Sequence, residues 1–203
     1  MIPNKESFYT IETAVIAEFK DRGSRFVAYA YPIQTAEEAK QYIKQLKKEH
    51  PKAAHHCFAY RIGFDETIFR VSDDGEPSGT AGRPILGQID SKQLTNTLVV
   101  VVRYFGGTLL GTSGLIHAYK TTTILALQLT PIIQKLITTT YILSIDYTII
   151  NSIMLLAKKY NCLVLQQSTQ LFCEMKIAIP KKYLEAMLAE LKELKGLECK
   201  QDN

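Results

Sequence analysis

The sequence predicts an α+β protein of two domains, residues 1–136 and 137–203. Three observations carry that reading. Period-2 and helical apolar patterns alternate within each half of the chain. The last third runs β-α-β-β-α-β, the order of a ferredoxin-like domain. A length of 203 residues also suffices for one large core or two small ones.

Residues 8–19 and 25–33 alternate aromatic and β-branched side chains and are read as strands, with Asp21-Arg22-Gly23-Ser24 as the turn between them. Thr35 opens a helix, because Glu38 stands three residues on as a capping box requires. The helix runs to about residue 49, before Pro51. Strands follow at 55–62 and 67–72. The glycine- and proline-rich stretch from Ser72 to Pro84 reads as a structured loop entering a helix at 81–91. TLVVVV at 97–102 is a continuous apolar run, as in a strand buried on both faces. A glycine-rich turn then leads to a helix from about 111 to 129. Residues 135–138 are read as a short linker after Pro131. Beyond it come a strand at 138–145, a helix at 147–160, strands at 162–168 and 171–179, a helix at 181–195 with Gly196 as its C-cap, and a closing strand at 197–201.

The four cysteines, Cys57, Cys162, Cys173 and Cys199, are too scattered for a zinc site or a disulfide framework, which points to reduced thiols and a cytoplasmic protein. The first residues lack the apolar segment of a signal peptide, and no apolar stretch reaches membrane-spanning length, so no membrane partner is expected. Net charge is +4, and all six arginines lie at or before Arg103. The planar guanidinium fork suits phosphate oxygens, so any anion site is expected in the first half. Lys40, Lys44, Lys47 and Lys48 share one face of the first helix, which is either a solvated face or a basic surface for nucleic acid.

Two segments are candidates for chemistry. Arg103 to Gly114 delivers a buried strand to a turn with Gly106, Gly107, Gly111, Thr112 and Gly114, offering backbone amides at a helix N-terminus. Its spacing matches no nucleotide-binding fingerprint. In the other segment, Asp73, Asp74 and Glu76 are able to hold a divalent cation or move protons. The structural alternative is favoured: a turn whose carboxylates cap amides, with Ser78 or Thr80 capping the next helix. His55 and His56 fall on opposite faces of a strand and cannot share a ligand. No metal, cofactor or catalytic residue is assigned.

These segments together resemble the YigZ/IMPACT family. The matching stretches are Ser24-Arg25-Phe26, Ala54 to Arg61 (AHHCFAYR), Ser72 to Pro84 (SDDGEPSGTAGRP) and Val99 to Gly107 (VVVVRYFGG), with Gly111, Gly114, Ala118 and Tyr119. They cover the first domain nearly end to end. With no RWD segment in the chain, the likeness is to bacterial members. The resemblance implies a first domain like the second domain of a small-subunit ribosomal protein, with a left-handed βαβ crossover. It implies a second domain like the fifth domain of elongation factor G. The expected function is binding of RNA, the ribosome or a translation factor to regulate translation, with no specificity for DNA. Arg25, Arg70, Arg83 and Arg103, Tyr104 and the glycine turn are expected to meet RNA phosphates. The rival is a hydrolase acting on a phosphate or peptide substrate between the DDGEP and RYFGG segments, with His55, His56, Asp73, Asp74, Glu76, Ser78 and Thr80 lining a polar cleft.

Overall fold

A computed structural model describes residues 5–64, 68–169 and 173–202. Chain contacts divide it into a unit spanning Phe8–Lys135 and a unit from Leu136 onward, to which Glu6 and Ser7 also belong. The N-terminal end thus groups with the second unit, where sequence alone kept it in the first.

The elements up to residue 136 are β1 (Ser7–Ile11), β2 (Val15–Asp21), β3 (Ser24–Pro32), α1 (Ala36–Glu49), β4 (His55–Ile62), β5 (Ile68–Ser72), α2 (Gly82–Ser91), β6 (Thr97–Tyr104), α3 (Gly111–Gln128) and β7 (Ile132–Leu136). Five of these strands form a sheet in the order β2-β3-β6-β4-β5, antiparallel throughout. Strand β6 lies at its centre and is buried on both faces, as the unbroken apolar run predicts. Leu98, Val100 and Val102 pack with Tyr29, Tyr60, Ala39 and Leu46 on the α1 side. Val99 and Val101 pack with Phe26, Cys57, Ile85, Ile89 and Tyr119 on the side of α2 and α3. Each fully buried Val or Leu contributes about 1.5–3 kcal/mol, so this one strand anchors two cores. Helix α1 begins as its sequence requires: Thr35 Oγ1 accepts the Glu38 amide at 3.2 Å, while the Glu38 carboxylate accepts the Gln34 amide at 2.7 Å.

Two expectations are corrected here. The single strand expected at 8–19 is two strands, β1 and β2. Between them the Glu12 amide donates to the Pro131 carbonyl at 3.0 Å and the Thr13 amide to Thr130 Oγ1 at 3.4 Å, which draws the chain out of the sheet. Lys135 and Leu136, expected as linker, instead end β7 (Ile132–Leu136), which pairs with β1.

The second unit contains β8 (Thr138–Ile145), α4 (Ile150–Lys159), β9 (Leu163–Thr169), β10 (Cys173–Pro180), α5 (Leu184–Lys192) and β11 (Leu197–Gln201). Their sheet order, β11-β8-β10-β9, is the ferredoxin-like arrangement. Leu143, Ile153, Met175, Ile177, Met187 and Leu191 fill the core between sheet and helices. Each helix is preceded by one turn of 3₁₀ helix, at Tyr147–Ile149 and Lys181–Tyr183, which accounts for the earlier starts read from sequence. Among the described residues, no helix is long and apolar enough to cross a membrane.

Candidate functional site

The stretch from Ser72 to Pro84 folds back over the end of β4. Asp73 directs it: Oδ2 accepts the Gly79 amide at 2.9 Å, and Oδ1 accepts the amides of Ala81 and Gly82 at 3.0 and 2.8 Å. The carboxylate therefore occupies the N-terminus of α2, where free amides and the helix dipole favour negative charge. Burial opposes its ionisation, but the Gly79, Gly82 and Ala81 amides and the nearby Arg83 outweigh burial and hold the Asp73 carboxyl below its ordinary value. The cap expected from Ser78 or Thr80 is thus supplied by Asp73. Thr80 Oγ1 instead donates to the Pro77 carbonyl at 2.7 Å, and Ser78 is exposed.

This geometry sets an acid dependence. A carboxyl whose folded-state pKa lies below its unfolded value stabilises fully above the ordinary carboxylate range, and the stabilisation is lost as pH falls through that range. Urea midpoints measured from pH 7 down to pH 3 are expected to fall more steeply for the native chain than for Asp73→Asn. At pH 7 the Asn variant is expected to lose about 1–2 kcal/mol. A variant as stable as the native chain at pH 7 would show that the cap is dispensable.

Asp74 and Glu76 take other partners. Asp74 has φ of 43°, and its carboxylate accepts the His56 amide at 2.7 Å while pairing with Lys47 Nζ at 2.9 Å. Its carbonyl accepts His55 Nδ1–H at 2.9 Å. Glu76 points inward. Its Oε1 lies 2.6 Å from Arg103 Nη1, with side chains 3% and 6% exposed, and accepts the Tyr119 hydroxyl at 2.8 Å. Cys57 Sγ lies 3.2 Å from that hydroxyl and 3.0 Å from the Asp73 carbonyl. Burial pushes both the Cys57 thiol and the Tyr119 phenol far above their ordinary values, so Cys57 is a neutral buried thiol rather than a nucleophile. Arg103 Nη2 reaches Ser24 Oγ at 3.4 Å, and the same hydroxyl accepts the Gly106 amide at 3.2 Å. A Cβ on Gly106 would lie 1.9 Å from the Gly23 carbonyl carbon, so only glycine permits this approach.

The two motif segments are therefore fastened to each other through a buried polar network. The three acidic side chains engage three separate sets of partners, and among the described residues no group of His, Cys, Asp and Glu is placed to hold a metal ion. His55 Nε2 stands 3.8 Å from Glu76. His56 is buried on the opposite face of β4, where burial lowers its pKa.

The four arginines expected to share a surface do not. Arg103 is interior, because strand alternation places it with Val101 and Val99 on the side of α2 and α3. Arg25 is exposed but pairs with Glu18 at 2.7 Å and lies over the Tyr104 ring. Arg83 is exposed on α2, across the sheet from Arg70. Gly107, Gly111 and Thr112 are exposed near the start of α3, and Gly114 packs against Leu110. The α3 N-terminus has no side-chain cap. In the second unit, Tyr141 is half-buried and Tyr147 is exposed, while Phe172 lies outside the described residues.

The structure instead brings Arg70 to the lysine face of α1. Antiparallel pairing of β4 with β5 sets Arg70 opposite Tyr60 and Ser72 opposite Phe58, on the α1 side. An open groove of about 430 Å³ results, lined by Lys40, Lys44, Lys47 and Lys48 together with Arg70, and floored by Ile43 and Phe58. Lys40 pairs with Glu37 and Lys47 with Asp74. Lys44, Lys48 and Arg70 have no ion-pair partner among the described residues. No acidic side chain lines the groove. The lysine spacing was visible in the sequence, but the contribution of Phe58 and Arg70 depends on strand register.

A model described as the Impact N-terminal domain matches residues 22–127. An IMPACT family member from Haemophilus influenzae is 38% identical over 184 residues, covering 90% of this chain and 89% of that protein. The IMPACT family member YigZ from Escherichia coli is 35% identical, covering 87% of each chain. A solved structure described as a hypothetical protein superposes with a TM-score of 0.73 at 31% identity, covering 98% of both chains.

Proposed function

This chain belongs to the IMPACT family, and from that premise we propose that it is a cytoplasmic protein that binds RNA within the translation machinery and thereby regulates translation. The contact surface is the α1 groove. The observation that carries this reading is the gathering of five cationic side chains around one groove with no acid in its lining. Lys40 and Lys47 are partly neutralised by Glu37 and Asp74, whereas Lys44, Lys48 and Arg70 repel one another unless an anion is bound. A polyphosphate backbone supplies anions at a comparable repeat. Four residues of helix rise about 6 Å, so the row from Lys40 to Lys48 is long enough for two or three nucleotides.

The buried network supports this division of labour. Asp73, Glu76 and Arg103 hold the motif loop in place, and Asp74 joins that loop to the groove through Lys47. The arrangement gives no support to a hydrolytic cleft between the DDGEP and RYFGG segments, since its acidic groups are already engaged as caps and ion pairs.

The test is a salt titration of binding to a labelled RNA pool. With three to five phosphates neutralised, the slope of log K against log salt is expected to be about −2 to −3.5. Affinity should then fall about 20- to 100-fold between roughly 50 and 200 mM salt. Binding that ignores salt, or no binding at the lower salt, would overturn the proposal.

A further inference from the structure

We propose, resting on the RNA reading above, that the α1 groove takes single-stranded rather than duplex RNA and stacks a nucleobase on the ring of Phe58. The groove is not only cationic. Its floor is an apolar strip, Ile43 and Phe58, lying between the lysine row on α1 and Arg70 on β5. Phe58 is partly buried against the α1-side core, and its ring runs parallel to that of Tyr60, at 6° and 6.4 Å. An aromatic ring fixed by its neighbours and flanked by cations is what a single strand requires: phosphates follow the charges while an unstacked base covers the ring. In a duplex the bases are already stacked and paired inward, so phosphates alone would face the floor and Ile43 and Phe58 would gain nothing. An acidic peptide would satisfy the lysines equally well but leaves the aromatic floor without a stacking partner.

The residues that line it are lysine, arginine, isoleucine and phenylalanine, with no Ser, Thr, Asn or Gln among them, so the groove is expected to be tolerant of sequence. Stacking of this kind is insensitive to base identity.

The chain contains no tryptophan, so Phe58→Trp places its one tryptophan, excitable apart from the tyrosines, at the floor and preserves an aromatic face. We expect oligouridine to quench its emission saturably and in a salt-dependent way, and an RNA duplex of equal length to leave it unchanged. In a parallel binding assay, Phe58→Leu keeps apolar bulk and is expected to weaken oligouridine about tenfold without changing duplex affinity. Thermal melts of both variants report whether the fold is retained. Equal quenching by duplex, or equal binding of oligouridine by Phe58→Leu, would overturn the stacking proposal while leaving RNA binding intact. Binding to neither RNA would overturn the functional reading itself. Displacement of oligouridine by polyglutamate of equal charge would assign the groove to acidic protein segments instead.

Discussion

Glu76→Ala is expected to lower the stability of the N-terminal unit by about 3–5 kcal/mol, the cost of leaving one member of a buried ion pair without its partner. Arg103 is 5% exposed and donates to Glu76 at 2.6 Å, so its charge would be stranded in the core. Tyr119 would lose its acceptor at the same time, adding a buried unpaired hydroxyl. A domain of this size has a total stability of about 5–15 kcal/mol, so the loss is a large fraction of the whole. Urea unfolding followed by tyrosine near-ultraviolet dichroism measures it. Glu76→Met with Arg103→Met removes both charges and is expected to cost less than either single change. A Glu76→Ala loss below about 1 kcal/mol would mean that the pair is effectively solvated.

Gly106→Ala is expected to be comparably severe, on the order of 4 kcal/mol or more. The added methyl would meet the carbonyl carbon and oxygen of Gly23 at 1.9 and 2.1 Å and the Ser24 nitrogen at 2.2 Å. These are backbone atoms and cannot rotate away. Relief requires moving the β2–β3 turn from the end of β6, which breaks the Ser24 contacts to Gly106 and Arg103. Gly107 provides the comparison. Its φ is 85°, but a Cβ there meets nothing within 4 Å, so Gly107→Ala carries only the left-handed backbone cost of about 1–2 kcal/mol. Melting temperatures of the two variants check the order. If Gly107→Ala were the more damaging, close approach would not be the reason for Gly106.

Much of this architecture is legible in the sequence because it is local. Strand β6 declares itself by a run of valines that no half-exposed strand would carry, and α1 by Thr35 and Glu38. What escapes is non-local. Arg103 reads as an available cation until its partner Glu76, 27 residues earlier in the chain, is brought beside it. The sign of its role then reverses, from ligand contact to core fastening. The end of strand β7, at Lys135 and Leu136, reads as linker because its β1 partner lies more than a hundred residues away. Four lysines at helical spacing are plain in the sequence, yet they become a groove only when the β4–β5 register places Phe58 and Arg70 beside them. The aspartates of the motif illustrate the same limit: the residue types permit a metal site, and only the partners at Gly79, Ala81, Gly82, His56 and Lys47 reveal their use as caps and ties.

The most direct test of the central claim is the salt dependence of RNA binding by Lys44→Gln/Lys48→Gln/Arg70→Gln, measured beside the native chain and Arg83→Ala. These three side chains carry the groove's charges that have no ion-pair partner among the described residues, so their loss is expected to flatten the slope by about 2. Arg83→Ala, on the other side of the sheet, should leave affinity and slope unchanged. A triple variant that binds RNA with the native slope would contradict the account and move the contact to another surface.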